Sequence, residues 1–332
     1  MQVNEKETIS QFVARRNASK ELFTAGPAAL LSENLHGLMP CFGRGDESYL
    51  KLESQVLFDL CQLSGHQKIA RFQSSGSGAM EIMITNFAYG KVLVIDTGYY
   101  AQRAQEMAEY ACDNYGFIAS IDSANWTDID NISGNYDWII ACYTETSIGL
   151  KLNIEKLTEL KIKLGAKLML DATASIGLEQ GHNLADVISY SSCKGLFGLT
   201  GAGFVAFNNP PSNEIRSFSL NIINHLDKKM TGPYHAICSI SKVLENYKDF
   251  QVAVKNTKDD FCERYKENLV FKLDQQPLLC TQVSISLGAK STKSVLYQPR
   301  TIAPGKSVVC HLGEVHLGTQ ANGLINEQLI KL

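Results

Sequence analysis

The chain has 332 residues, 45% hydrophobic and 20% charged, enough to bury a sizeable core and, at about 150 residues per unit, to form two domains. Its 31 basic and 34 acidic residues leave a formal charge of -3 and a pI near 6.2, without the electropositive footprint of a nucleic-acid or anionic-membrane binder. Small molecules and other protein chains are the expected partners.

The first twenty residues, MQVNEKETISQFVARRNASK, alternate charges with single apolar positions and lack the apolar core of a signal peptide. No later segment approaches the roughly 18 apolar residues of a membrane span, so a cytoplasmic protein is expected. Nine cysteines are scattered singly from Cys41 to Cys310 without a CxxC pair, which argues against a disulfide framework and against a zinc or other metal site.

In chain order, the Gly/Ser stretch QSSGSG runs into a helix carrying Met80, Ile82, Met83 and Phe87. Short apolar runs that end abruptly in polar residues follow: KVLVIDTGYY, YDWIIACYTETSIG, AKLMLDATAS and DVISYSSCKG. They read as strands buried on both faces. Between them NIEKLTELKIKLG predicts a helix with Asn153 as N-cap, Ile154, Leu157, Leu160 and Leu164 on its apolar face, and Gly165 as its stop. Strand and helix alternate, so the fold class is α/β with a large, mainly parallel sheet.

From about Tyr234 a long helical region is expected through SKVLENYKDF and FCERYKENL, then the alternating stretches TQVSISLG and SVVCHLG, and a closing helix in NGLINEQLIKL. This predicts a large domain over residues 21–240 and a smaller α+β domain over 241–332, with residues 1–20 as an arm packed near the small domain.

Ligands of open parallel sheets sit beyond the carboxyl ends of the strands, and three features converge there. Ser75, Gly76, Ser77 and Gly78 open a helix whose free N-H groups suit a phosphate, although a tight turn with no ligand explains the same residues. Asp171 ends the strand KLMLD, where a helix cap is its ordinary role. Lys194 follows the next strand among small residues and glycines, where a solvated loop lysine is the ordinary reading. Together the trio suits pyridoxal 5'-phosphate: a cradle for the phosphate, a carboxylate for the ring nitrogen and a lysine for the Schiff base.

The ordered motifs TAGP, SGSGAME, TGYYAQR, TETSIG, DATASIG and SSCKGLFGLTGAGFV, between Phe23 and Thr231, resemble the class V aminotransferases of the fold type I pyridoxal phosphate enzymes. Among these the 2-aminoethylphosphonate and alanine-glyoxylate transaminases are nearest in pattern. The resemblance implies catalytic roles for Lys194 as the Schiff-base lysine and Asp171 as partner of the ring nitrogen. It implies a cofactor shell of Ser75 to Gly78, Tyr100 on one ring face, Thr173 on the other, Thr146 at the phenolic oxygen and Ser192 near the phosphate. Tyr99 is the core aromatic next door. Thr231, a helix N-cap on the ordinary reading, would reach the phosphate of a neighbouring subunit, which implies a homodimer.

Two departures stand out. Where relatives carry an amide before the lysine, this chain has Cys193, a poor hydrogen-bond donor. Where relatives carry an arginine for the substrate's acid group, CHLGEV offers His311, which serves equally as a strand residue without a ligand, so Arg300 or Arg44 becomes the alternative cation. The expected function is amino transfer between a small amine or amino acid and a keto acid or aldehyde. A lyase or desulfurase on the same scaffold, or a non-catalytic relative, is the alternative; Tyr100 and Cys193, where desulfurases carry histidines, disfavour the desulfurase.

Overall fold

In the structure, a computed structural model, residues 7–26, 30–39, 42–43, 45–313, 315 and 327–332 are described. The chain begins with α1 (Ile9–Asn17), β1 (Glu21–Phe23), α2 (Ser32–His36) and α3 (Glu47–Ser64). Strand and helix then alternate through β2 (Lys68–Gln73), α4 (Gly76–Phe87), β3 (Gly90–Asp96), α5 (Tyr99–Tyr115) and β4 (Ile118–Asn125). After β5 (Trp138–Cys142) come the short pair β6 (Thr144–Glu145) and β7 (Leu150–Lys151), then α6 (Ile154–Leu164), β8 (Lys167–Asp171), β9 (Val187–Ser191) and β10 (Ala202–Phe207). The signals expected for α6 hold: the Asn153 side chain accepts the Lys156 N-H at 2.8 Å, and Gly165 ends the helix in the left-handed region at φ 67°.

The main sheet has the order β2-β10-β9-β8-β5-β3-β4. Every ladder from β9 to β4 is parallel, and β10 runs antiparallel to both neighbours. Both faces are buried, as the continuous apolar runs predict. On β5 Trp138 and Ile140 join Val92, Val94, Met83 and Ala104 beneath α4 and α5, whereas Ile139 and Ala141 join Leu93, Ile95, Leu157 and Leu160 beneath α6. The two-residue period of a strand sorts one run of five apolar residues into two cores.

The remainder comprises α7 (Ile222–Leu226), α8 (Tyr234–Glu245), α9 (Tyr247–Arg264), β11 (Cys280–Val283), β12 (Leu287–Ala289), β13 (Ser294–Leu296), β14 (Ser307–Cys310) and β15 (Leu329–Lys331). Phe23, Phe261, Val283, Val309 and Leu329 form its own core.

Two expectations change here. The helical region after Tyr234 is two helices, interrupted at Asn246, whose ψ of 14° leaves the helical region. Helix α8 runs across residue 240, and its Ile237, Ile240 and Val243 join the core that also holds the buried face of α6. Strand β1 pairs in parallel with β13. The closing helix does not reach the terminus: Leu329–Lys331 form β15, antiparallel to β12, and the free edge of β12 takes the final residues as a strand. The start of that expected helix lies outside the described residues. No described helix is long and apolar enough to cross a membrane, and no metal-binding cluster of His, Cys, Asp or Glu occurs among the described residues.

Candidate active site

At the carboxyl ends of β5, β8 and β9 lies a cavity of about 160 Å³, lined by Ser75, Gly76, Ser77, Tyr100, Thr146, Asp171, Thr173 and Lys194, with Met80, Arg103, Cys142, Thr144, Ala174, Ser191 and Cys193 completing the wall. Sequence positions as far apart as 75 and 194 meet because parallel strands deliver their C-terminal residues to one edge of the sheet. A larger hollow of about 730 Å³ shares Ser75, Gly76, Ser191 and Cys193 with it and opens toward Pro233, Tyr234 and His235.

The floor of the cavity is the start of α4. The Ser75 side chain caps that helix by accepting the Gly78 N-H at 3.2 Å, so Gly78 is occupied within the helix while Gly76 and Ser77 face the cavity. Gly76 is a matter of space: a Cβ there would stand 2.8 Å from the Thr173 side chain and close the gap between cradle and wall.

Lys194 projects from the turn between β9 and β10, its Nζ 5.4 Å from the centre of the Tyr100 ring. Gly26, at φ 101°, backs that turn so closely that a Cβ would lie 2.4 Å from the Cys193 carbonyl oxygen and 3.3 Å from Lys194 Cγ. The glycine of the TAGP motif is therefore the wall against which the lysine stem rests. Ser192 is buried and donates its hydroxyl to the carbonyls of Leu199 and Ala202, so it braces the turn, and the hydroxyl lining the cavity at this point belongs to Ser191.

Asp171 is 7% exposed, and its Oδ1 accepts the Thr173 N-H at 2.9 Å, which fixes the carboxylate while Thr173 stands beside it in the wall. Tyr100 lies in the first turn of α5. The N-cap of that helix is Gly98, which has no side chain to offer, and Glu145 from β6 caps the helix instead. Its Oε2 accepts the N-H groups of Tyr100 at 3.0 Å and Ala101 at 3.3 Å, and its Oε1 accepts the N-H and hydroxyl of Ser147. Burial pushes the Glu145 carboxyl above its ordinary value, against the pull of those hydrogen bonds.

Two wall hydroxyls lack a complete partner. Thr144 Oγ1 is buried without a hydrogen bond, and Thr146 Oγ1, also buried, makes none within normal geometry, though it interacts with the Tyr297 hydroxyl. Buried hydroxyls are ordinarily paired, so both are suited to a polar group entering the cavity.

Arg103 is a wall residue absent from the sequence expectation. Its Nη1 donates to Ser77 Oγ at 2.8 Å and its Nη2 to the Tyr99 hydroxyl at 3.1 Å, with the guanidinium 5.0 Å and 5.1 Å from the centres of the Tyr99 and Tyr100 rings. The hydrogen bond from Arg103 lowers the Tyr99 phenol below its ordinary value. The signal was present in TGYYAQR, since Tyr99 and Arg103 stand four apart on one helix face.

His311 leaves the list of site candidates. It is fully buried outside β14, its Nε2 2.9 Å from Thr281 Oγ1 and its ring 5.3 Å from Phe261, and burial drives its pKa down to about 3. A neutral ring packed against Phe261 and outside the cavity lining cannot replace an arginine there. Arg300 instead lies with its guanidinium 5.6 Å from the centre of the Tyr99 ring, itself a partner of the wall residue Arg103, and forms no ion pair among the described residues. Arg44 lies outside the described residues. Thr231 is exposed and lines neither hollow; it is not the N-cap of α8, a position held by Pro233.

No protein-family model matches the chain. It is 23% identical over 252 residues to 2-aminoethylphosphonate-pyruvate transaminase of Pseudomonas aeruginosa, covering 69% of this chain and 68% of the relative. Alanine-glyoxylate aminotransferase of a Nostoc species superposes with a TM-score of 0.77 at 17% identity, covering 98% of this chain and 97% of that one. An aspartate aminotransferase of subgroup IV from Thermus thermophilus gives the same TM-score and identity over 92% of this chain and 98% of its own. The fold is that of the fold type I pyridoxal phosphate aminotransferases.

Proposed function

We propose that the chain is a pyridoxal 5'-phosphate-dependent aminotransferase that moves an amino group between a small amine or amino acid and a keto acid or aldehyde. One observation carries the reading: a lysine amine, a fixed carboxylate and the open start of a helix line a single cavity. The cavity fits the cofactor on independent grounds, because Thr144 Oγ1 is a buried hydroxyl without a partner and Gly76 leaves the space a side chain would fill. Similarity to transaminases supports the same chemistry.

Bound there, pyridoxal phosphate supplies an aldehyde that takes up the amino group and a ring that withdraws electrons from the carbon the amine leaves. The N-H groups of Gly76 and Ser77 and the hydroxyls of Ser75 and Ser77 would hold the phosphate. Asp171 would hold the ring nitrogen in its protonated form, and its bond from the Thr173 N-H keeps it oriented for that purpose. Tyr100 and Thr173 would hold the ring plane, and Thr146 the phenolic oxygen. Lys194 Nζ would hold the cofactor's aldehyde at rest, and when free the same amine would be the base that takes a proton from the substrate carbon and returns it. Arg300, unpaired by any described carboxylate and stacked near Tyr99, is the cation we assign to a substrate's acid group.

The same reading makes the protein a homodimer. Its support is Thr231, exposed and outside its own chain's cavity, two residues before Pro233 at the rim of the larger hollow. A cytoplasmic setting fits the eight described cysteines, none of which forms a disulfide. The test is borohydride reduction of the protein loaded with pyridoxal phosphate, followed by peptide mapping. The pyridoxyl group is expected on Lys194; its appearance on another lysine, or failure to bind the cofactor, refutes the function.

A further inference from the structure

Resting on the cofactor assignment above, we propose that Arg103 is a ligand of the cofactor's phosphate, a cation delivered from α5 that supplies the donor Cys193 cannot.

The geometry begins with Ser77. Its Oγ lies in the cradle at the start of α4 and accepts from Arg103 Nη1 at 2.8 Å, while Arg103 itself lines the same cavity. A guanidinium has five N-H donors, and the hydrogen bonds to Ser77 and Tyr99 use two, leaving three. No described carboxylate pairs with Arg103, and Asp171, the acid in the cavity wall, has Oδ1 committed to the Thr173 N-H.

Electrostatics make this arrangement unfavourable in the absence of an anion. The start of α4 carries the positive end of the helix dipole, and a guanidinium held against Ser77 adds a charge of the same sign. Lys194 contributes a third positive group to the same wall. A phosphate dianion between helix start and guanidinium turns those repulsions into charge-assisted hydrogen bonds, with a planar fork suited to two phosphate oxygens. Cys193, on the other side of the cradle, has a thiol 3.7 Å from Ser191 Oγ and offers only a weak donor.

The competing role is mechanical. Arg103 stacks on Tyr99 and Tyr100, and holding those rings would by itself explain its position. The two roles separate when cofactors with and without the phosphate are compared, since ring-holding affects both and phosphate binding only one.

The experiment titrates pyridoxal phosphate and pyridoxal into cofactor-free full-length protein, followed by absorbance and tyrosine fluorescence, for the parent, Arg103→Gln and Arg103→Lys. Arg103→Gln is expected to raise the Kd for pyridoxal phosphate at least about tenfold and to change that for pyridoxal by less than about twofold. Arg103→Lys, which keeps the charge without the fork, is expected to fall between, and it gives the same ratio should the glutamine variant fail to fold. Inorganic phosphate should compete with the cofactor more weakly in Arg103→Gln than in the parent. Equal weakening of both aldehydes, or no weakening of either, overturns the proposal. A parent that binds neither aldehyde overturns the aminotransferase assignment instead.

Discussion

Glu145 offers the sharpest test of how the site is held. In Glu145→Ala the N-H groups of Tyr100, Ala101 and Ser147 lose the acceptor that now stands 3.0, 3.3 and 3.2 Å away. An unpaired buried donor costs about 1–3 kcal/mol, in full for Ser147, which is completely buried, and in part for Tyr100, beside the cavity. Against this, burial of the carboxylate is itself unfavourable, as its raised pKa records, and its removal recovers some of the loss. The net expectation is a destabilisation of about 2–4 kcal/mol and a fall in Tm of roughly 4–8 °C, with weaker cofactor binding because Tyr100 loses its anchor. The sign of the pH dependence follows from the direction of the shift. A carboxyl raised on folding contributes stability that is full below its ordinary value of 4.5 and is lost as pH rises through the folded value, so parent and variant differ most at and below pH 4.5 and differ less above it. Thermal unfolding across that range, with a cofactor titration beside it, measures both effects. A variant within about 0.5 kcal/mol of the parent that binds cofactor normally would show that Glu145 does not hold α5 in place.

Asp171→Ala should retain the cofactor yet slow the amino-transfer half-reaction by about a hundredfold or more in single-turnover absorbance, and an active variant would remove Asp171 from the ring nitrogen. Arg300→Ala should raise KM for donors bearing an acid group by about tenfold or more and leave an acid-free amine unchanged; equal effects on both donors would end its role in recognition. His311, with its pKa depressed to about 3, contributes stability that is full above 6.5 and declines as pH falls toward the folded value. His311→Gln should therefore flatten the acid limb of the stability curve by about 1.4 kcal/mol per pH unit below 6.5, and denaturant melts from pH 7 to 4.5 that run parallel to the parent's would contradict a buried neutral ring.

Residues whose role depends on a few neighbours in sequence were legible. Asn153 and Gly165 bound α6 by local capping, and the place of Lys194 in the cavity wall follows from an apolar run before it and glycines after it. The antiparallel β10 was legible in principle, because the ten residues between Ser191 and Ala202 leave no room for a helical crossover. Residues that act across the fold were not. Glu145 caps a helix 45 positions earlier, and no local pattern marks it. The spacing of Ile325, Leu329 and Ile330 fits a helix as well as a strand, and the hydrogen-bonding edge of β12 decides between them for Leu329–Lys331. His311 was placed by correspondence over a region where the family pattern is thin, with a ligand-free strand residue as the equal alternative, and its burial against Phe261 and Thr281 has no signature in CHLGEV.

The short ladder between β1 and β13 sets a limit on motion. Phe23 is fixed in the core it shares with Phe261 and Val309, and three residues later Gly26 lies so close to the lysine turn that a Cβ would stand 2.4 Å from the Cys193 carbonyl oxygen and 3.3 Å from Lys194 Cγ. Three residues of extended chain reach about 10 Å at most, so the leash between the two cores has little slack. If the core around Phe23 shifts against the main sheet, it must either pull on the backing of the lysine or pivot about Thr24 to Gly26. Movement of that core and the stance of the Lys194 side chain would then be one mechanical event, timed by the same three peptide units.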